Sequence, residues 1–235
     1  ILRRLKRDVA PELPPRTEIV ERIELSAAER ALYESLRREA VESLQDPKQD
    51  YLSVLAQLTR LRRACCHPRL VLAEGNLASS KLERCHELLD DLIENGHRAL
   101  VFSQFVSYLQ ILRTELDARG TAYAYLDGST APAARRKAVQ SFQQGQGDLF
   151  LISLKAGGTG LNLTGADYVI HLDPWWNPAV EDQASDRAHR MGQQRPVTVY
   201  RLVTADTIEE QIVNLHAQKR DLAQRLLEGT ESSTA

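Results

Sequence analysis

LISLKAGGTGLNLTGADYVIHLDPWWNPAVEDQASDRAHRMGQQ, residues 151–194, is the stretch on which the fold turns. It continues the apolar run LFLIS (149–153), passes a loop with Lys155, Gly157, Gly158 and Gly160, and enters a second apolar run, YVIHL (168–172). Runs that are apolar at nearly every position indicate strands covered on both faces. A loop leaving such a strand stands at the carboxyl edge, where open α/β sheets bind ligands. Glycines there let backbone N–H groups approach an anion. The loop is not a Walker A loop, because no Gly-Lys-Ser/Thr follows, and it lacks the G-x-G-x-x-G spacing of a dinucleotide fingerprint. Taken alone, AGGTG also fits a tight turn that holds nothing.

The second half of the stretch predicts a helix. Asn177 and Pro178 read as its N-cap and first residue, and the pattern continues to about Met191. Gln183, Arg187 and Arg190 then share one face. Two guanidiniums three residues apart are separated by only ~4.5 Å along the axis, a repulsive arrangement unless an anion lies nearby. One reading is a surface pair between Asp186 and Arg190. The other is an arginine finger, supplied across an interface to a nucleotide phosphate.

Outward from this stretch the alternation repeats. ALVFS (99–103), AYAYL (122–126) and VTVYRLV (197–203) predict further strands, and between them lie helical patterns such as Leu82, Cys85, Leu88, Leu89, Leu92 and Val106, Leu109, Leu112, Leu116. Strands alternating with amphipathic helices predict a parallel sheet with helices on both faces. Upstream, LPPRTEIVERIEL suits an exposed strand or arm. Ser26 with Glu29, and Ser80 with Glu83, fit capping boxes that open helices. Leu52, Leu55, Leu58 and Leu61 predict one buried helix face. A last helix is expected from Thr207 to about Leu227, with Ile208, Ile212, Leu215, Leu222 and Leu226 on one side and a frayed GTESSTA tail.

Composition sets the bounds. The 235 residues are 43% hydrophobic and 26% charged, values of ordinary globular chains, so disorder is excluded as the main state. No apolar run approaches the roughly 20 residues that a bilayer requires, and no membrane association is expected. Thirty Lys and Arg against 32 Asp and Glu leave a charge of −2, so any nucleic-acid contact must come from a local patch. Three cysteines, two of them adjacent, suggest a reducing, intracellular setting. The chain starts at Ile1 with no Met or signal peptide, which suggests a piece of a longer protein.

The runs LVFSQF, YLDGST, ISLKAGGTGLNLTGADYVIHLDPWWNP and QASDRAHRMGQ, in this order and spacing, resemble the C-terminal RecA-like lobe of Swi/Snf-type helicase-like ATPases. LRRLKRDVAPELPPRTE, LRRACCHP, SSKL and TIEEQI resemble that family's flanking segments, so the likeness covers nearly the whole chain. It implies an α/β, RecA-like (P-loop NTPase-like) parallel sheet with helices on both faces, at 81–205. Residues 1–80 would form an interlobe linker and helical protrusion, and 206–235 a bracing helix and tail. The implied activity is an ATP-driven translocase on double-stranded DNA, with ATP and Mg²⁺ held mainly by an N-terminal RecA-like lobe of the same polypeptide and a DNA-bound protein as a further partner. By the same resemblance Arg187 and Arg190 are catalytic fingers, with Arg190 favoured, and Gln183, Gly158 and Gly160 belong to the nucleotide site. Ser103, Gln104, Arg135, Lys155, Asn162 and Trp176 would meet DNA, and backbone contacts of this kind set register, not sequence preference. The compact Gly165–Asn177 spacing resembles bacterial and archaeal members, which implies a cytoplasmic or nucleoid location; a eukaryotic member would be nuclear.

Other conspicuous groups read as structural. Cys65, Cys66 and His67 are too crowded for a zinc site, so no metal is expected. His171, His189 and Trp175 fit packing roles. Asp127 and Gly128 suit a turn, with Ser129 or Thr130 capping the helix that Pro132 opens. Lys81 at a helix start is an unfavourable place for a cation and hints at a structural or cleft role. No segment carries a Walker A loop and no strand ends in an Asp-Glu pair, so half of an ATP site is missing and the chain alone is not expected to hydrolyse ATP. The reading from another class is a non-catalytic RecA-like module that docks DNA or protein.

Overall fold

Five of the sequence's apolar runs become strands within a residue or so of their expected ends, and a sixth strand joins them. A computed structural model describes residues 13–44, 51–75, 77–156 and 160–218. The strands are β1 (Arg16–Ile23), β2 (Ala99–Ser103), β3 (Tyr123–Leu126), β4 (Leu149–Ser153), β5 (Tyr168–His171) and β6 (Val197–Thr204). They form one sheet in the order β1-β6-β5-β2-β4-β3, with every pairing parallel. The described helices are α1 (Ala27–Leu44), α2 (Tyr51–Cys66), α3 (Ser80–Glu94), α4 (Val106–Ala118), α5 (Pro132–Gln143) and α6 (Pro178–Ser185), followed by α7 over 208–218.

Strand alternation divides the core between two faces. Ala99 and Val101 of β2 look toward α3 and α4, where Leu82, Leu89, Leu109 and Leu112 cover them. Leu100 and Phe102 look the other way, into a cluster with Phe142 of α5 and Ala184 of α6. A third cluster joins Tyr33 and Leu36 of α1 to Leu61, Ala64 and Cys65 of α2, and the Tyr33 hydroxyl accepts the Ile208 N–H at 2.8 Å. The α1–α2 pair is thereby tied to α7.

Several expectations shift. The segment read as an exposed arm is β1, in register with β6 from Arg16 opposite Val197 to Ile23 opposite Thr204, so the sheet crosses the expected boundary at residue 80. Its alternating half-buried pattern is that of an edge strand. The Ser26 capping box forms, with Ser26 N–H donating to Glu29 at 3.0 Å and Glu29 N–H to Ser26 Oγ at 3.3 Å. At α3 the cap is Ser79, one residue earlier than expected; Ser80 Oγ donates instead to Glu29 Oε2 at 2.5 Å. Leu61 is buried, but Leu52 and Leu55 on the same helix are exposed, so only the carboxyl half of α2 packs. The N-cap of α5 is Ala131, with no side-chain cap bond. Ser129 and Thr130 are drawn to Asp127, whose Oδ1 accepts from Ser129 N–H at 2.8 Å and from Ser129 Oγ at 2.6 Å. These bonds hold the Asp127 carboxyl down at about 2. In α7 Ile212 is buried, whereas Leu215 is exposed; Leu222, Leu226 and the GTESSTA tail lie outside the described residues.

Candidate functional site

The loop after β4 carries Lys155, which is exposed, then Gly160 at φ +50° and the exposed Asn162. Gly160 has open space where a Cβ would stand, so backbone conformation accounts for this glycine and crowding does not. Gly158 lies outside the described residues. Arg135 of α5 donates to the Ala156 carbonyl at 3.3 Å, which brings Arg135 and Lys155 to the same loop.

Asn177 caps α6, accepting the Ala179 N–H at 3.1 Å, and Pro178 is the first helical residue. The helix ends at Ser185, two turns before the expected Met191. Gln183 is therefore on the helix and exposed, whereas Arg187 and Arg190 lie on the turns that follow, and the single shared helix face is not formed. Arg187 is 5% exposed and Arg190 is exposed. Tertiary bonds hold these turns. The Arg187 carbonyl accepts the Leu163 N–H at 3.0 Å, tying the Arg187–Arg190 segment to the end of the glycine loop. The Gln193 amide donates to the carbonyls of Thr164, Ala166 and Ala188 at 3.2, 2.8 and 3.1 Å, while its oxygen accepts the N–H groups of Gln194 and Arg195. Gln193 has its full complement of bonds and staples the arginine-bearing turns to the segment that enters β5; the sequence reading gave it no role.

Arg187 is a buried cation. Burial lowers its guanidinium pKa, Arg190 lowers it further, and Asp186 pulls the other way. Arg187 Nε is buried without a hydrogen-bond partner, and no carboxylate among the described residues pairs with it. Asp186, the expected partner of Arg190, is engaged by Arg16 of β1 at 3.3 Å. A buried cation with an unspent donor beside a second cation fits an anion such as a nucleotide phosphate.

A second cluster occupies the carboxyl ends of β2 and β5. Asp173 accepts from Ser103 Oγ at 2.5 Å and from Gln104 N–H at 3.3 Å. Burial pushes its carboxyl up to about 6, against the Ser103 hydrogen bond and the nearby Arg62 charge. Ser103 itself is buried at 2% exposure and spends its hydroxyl on Asp173. Ser103, expected to meet DNA, thus holds Asp173 within the chain, and Gln104 is the residue nearer solvent. Trp175 and Trp176 are half-buried, and both rings lie within cation–π range of the Arg62 guanidinium. Arg62 comes from the LRRACCHP segment and was not singled out by its sequence context.

Two buried ion pairs brace these clusters. Glu181, fully buried on α6, accepts the Trp175 N–H at 2.6 Å and Arg201 Nε at 2.8 Å. Lys81, also fully buried, donates to Glu209 at 2.5 Å and to the Leu172 carbonyl at 3.1 Å. Burial is the largest influence on the Lys81 pKa and pulls it down, but Glu209, Cys66 and Cys65 together outweigh it and the net shift is upward. The structural role hinted at for Lys81 is thus the joining of SSKL to TIEEQI. His171 contacts Ser185 Oγ at 2.9 Å and burial lowers its pKa to about 4; His189 contacts the Pro14 carbonyl at 2.8 Å. His67 accepts the Arg69 N–H at 3.1 Å as a turn cap. Cys65 and Cys66 are buried thiols, and burial raises the Cys65 pKa to about 12.

A six-stranded parallel sheet whose β4–β5 connection carries a glycine loop and is bonded to arginine-bearing turns is the arrangement expected of a helicase-type C-terminal lobe. Residues 80–192 match the helicase conserved C-terminal domain, and residues 1–70 match the SNF2-related domain. The chain is the C-terminal RecA-like lobe of a Swi/Snf-type helicase-like ATPase. It is 36% identical over 230 residues to an "Uncharacterized ATP-dependent helicase" of Mycoplasma pneumoniae, covering 97% of this chain and 22% of that protein. The chain spans about a fifth of the length of this and several other curated relatives. The Sulfolobus solfataricus SWI2/SNF2 ATPase C-terminal domain superposes with a TM-score of 0.73 at 29% identity, over 87% of this chain and 86% of that one. The ATPase core of the same organism in complex with double-stranded DNA gives 0.76 at 32%, over 94% of this chain and 48% of that one. Among the described residues no helix is long and apolar enough to cross a membrane.

Proposed function

We propose that this lobe serves an ATP-driven translocase on double-stranded DNA by presenting Arg187 and Arg190 to a triphosphate bound chiefly by a companion N-terminal lobe. The observation that carries the reading is Arg187: buried, with an unpartnered Nε, next to a second arginine and pinned through its carbonyl to the glycine loop. Phosphoryl transfer in this class depends on positioning and on neutralising developing charge. The nucleotide supplies the phosphoanhydride bond. This chain's part is to hold cationic donors at fixed positions, Arg190 as the finger and Arg187 behind it, with Gln183, Gly158 and Gly160 completing its side of the pocket. Mg²⁺, the phosphate loop and the water-orienting acid are assigned to the companion lobe.

DNA is assigned to the loop after β4 and the carboxyl edge, through Gln104, Arg135, Lys155, Asn162 and Trp176. The likeness to a SWI2/SNF2 core bound to double-stranded DNA supports this assignment. A DNA-bound protein is the expected cargo. The test is made in the full-length protein: Arg190→Ala should cut DNA-stimulated ATPase by about 10³–10⁵-fold with DNA affinity retained, and the isolated chain should show no DNA-stimulated turnover. Robust turnover by the isolated chain, or wild-type ATPase in Arg190→Ala, would overturn the proposal. The latter result would favour a docking module.

A further inference from the structure

Arg62 is buried at 2% exposure, yet it projects from α2 of the protrusion into the carboxyl-edge cluster of the lobe. Its guanidinium carbon stands 5.6, 5.4 and 5.2 Å from the ring centroids of Phe105, Trp175 and Trp176, the range of cation–π contact. Nη2 donates to the Pro174 carbonyl at 2.5 Å and lies 3.9 Å from Asp173 Oδ2, while Nη1 donates to Gln104 Oε1 at 3.1 Å. The last bond has a directional consequence. A carboxamide whose oxygen faces a guanidinium turns its NH₂ the other way, and Gln104 Nε2 is buried without a hydrogen-bond partner. The arrangement thus turns the Gln104 NH₂ away from the guanidinium, the polarity that a phosphate oxygen requires; the nitrogen is covered in this structure, so DNA meets it only once the side chain swings outward.

We propose that Arg62 is a positioning residue for DNA: it fixes the Gln104 amide as a donor and clamps the Trp176 ring, so that the protrusion and the DNA-contacting edge move as one unit. The inference rests on Gln104 and Trp176 being DNA contacts. A lysine in its place would keep the charge but lose both the planar fork and the flat surface that stacks on indole.

The experiment compares Arg62→Lys, Gln104→Ala, Trp176→Ala and their combinations in the full-length protein, with a fluorescent DNA duplex as the probe. Arg62→Lys should weaken duplex binding about tenfold while leaving the ATP KM and the DNA-free ATPase unchanged. The salt dependence is read on the charge-removing Arg62→Gln: because Arg62 touches no phosphate in this reading, the slope of log Kd against log salt should stay at the wild-type value, whereas loss of a direct phosphate contact would reduce it by about 0.9. In a background lacking the Gln104 and Trp176 side chains, Arg62→Lys should have no further effect. A reduced slope, an equal loss in that background, or no loss in a protein where Gln104→Ala does weaken binding would each overturn the proposal. If Gln104→Ala and Trp176→Ala leave DNA affinity intact, it is the underlying DNA assignment that fails. Should Arg62→Lys not fold, Phe105→Leu removes one wall of the cage; a loss confined to the background with Gln104 and Trp176 present supports the proposal, and no loss overturns it.

Discussion

Arg62 and Arg187 are both buried arginines, at 2% and 5% exposure, and they are opposites. Apart from Nε, Arg62 is surrounded by groups of its own chain: a carboxylate, a carbonyl, an amide oxygen and three aromatic faces. Arg187 has no carboxylate partner among the described residues, and its nearest charged company includes another arginine. Arg201 and Lys81 belong with Arg62, since each meets a fully buried carboxylate. A cation matched internally serves the fold, whereas one left unmatched at a desolvation cost marks a place where an external anion is expected.

Stability measurements can break this comparison. The largest effects are expected at the matched cations. Lys81→Met leaves Glu209 buried beside Thr204 alone, and Arg201→Met strips Glu181 of its charge partner; each should cost about 3–5 kcal/mol in urea unfolding. Arg187→Met should be neutral or stabilising, because it removes an uncompensated buried charge. A loss at Arg187 as large as that at Arg201 would erase the distinction between the two classes.

A smaller effect concerns pH. Buried His171 titrates at about 4 in the folded chain, so between about pH 4 and 6.5 the unfolded chain holds the extra proton and stability rises with pH. Asp173 titrates at about 6 when folded, so between about pH 4 and 6 the folded chain holds the proton that the unfolded chain has lost. Its contribution therefore falls as pH rises. The two oppose each other over the same interval. Asp173→Asn should make the stability of the variant rise with pH relative to wild type by up to about 1.4 kcal/mol per pH unit there. An unchanged slope would mean that Asp173 keeps an ordinary carboxyl pKa.

Most of the scaffold was legible because strands buried on both faces carry continuous apolar runs, and five of them announced themselves. β1 was not, because an edge strand half open to water alternates like an arm and its partner β6 lies about 180 residues away. The end of α6 was missed for a related reason. DRAHRMGQ continues a helical-looking pattern, but the Gln193 amide gathers three carbonyls and the chain turns to meet it. Of the site, the arginine pair and the glycine loop were visible as unusual residue choices at meaningful spacing. Arg62, Glu181 and Gln193 were not, since their chemistry depends on partners remote in the chain.

The order of strands and helices, the caps at Ser26 and Asn177 and the presence of two closely spaced arginines after a glycine loop followed from the sequence alone, because propensity and periodicity act over a few residues. Which cations are matched and which are left open was decided only by tertiary structure. A charge's fate depends on burial and on groups within about 4 Å, and here Arg62 meets Asp173, and Lys81 meets Glu209, across more than a hundred positions of chain.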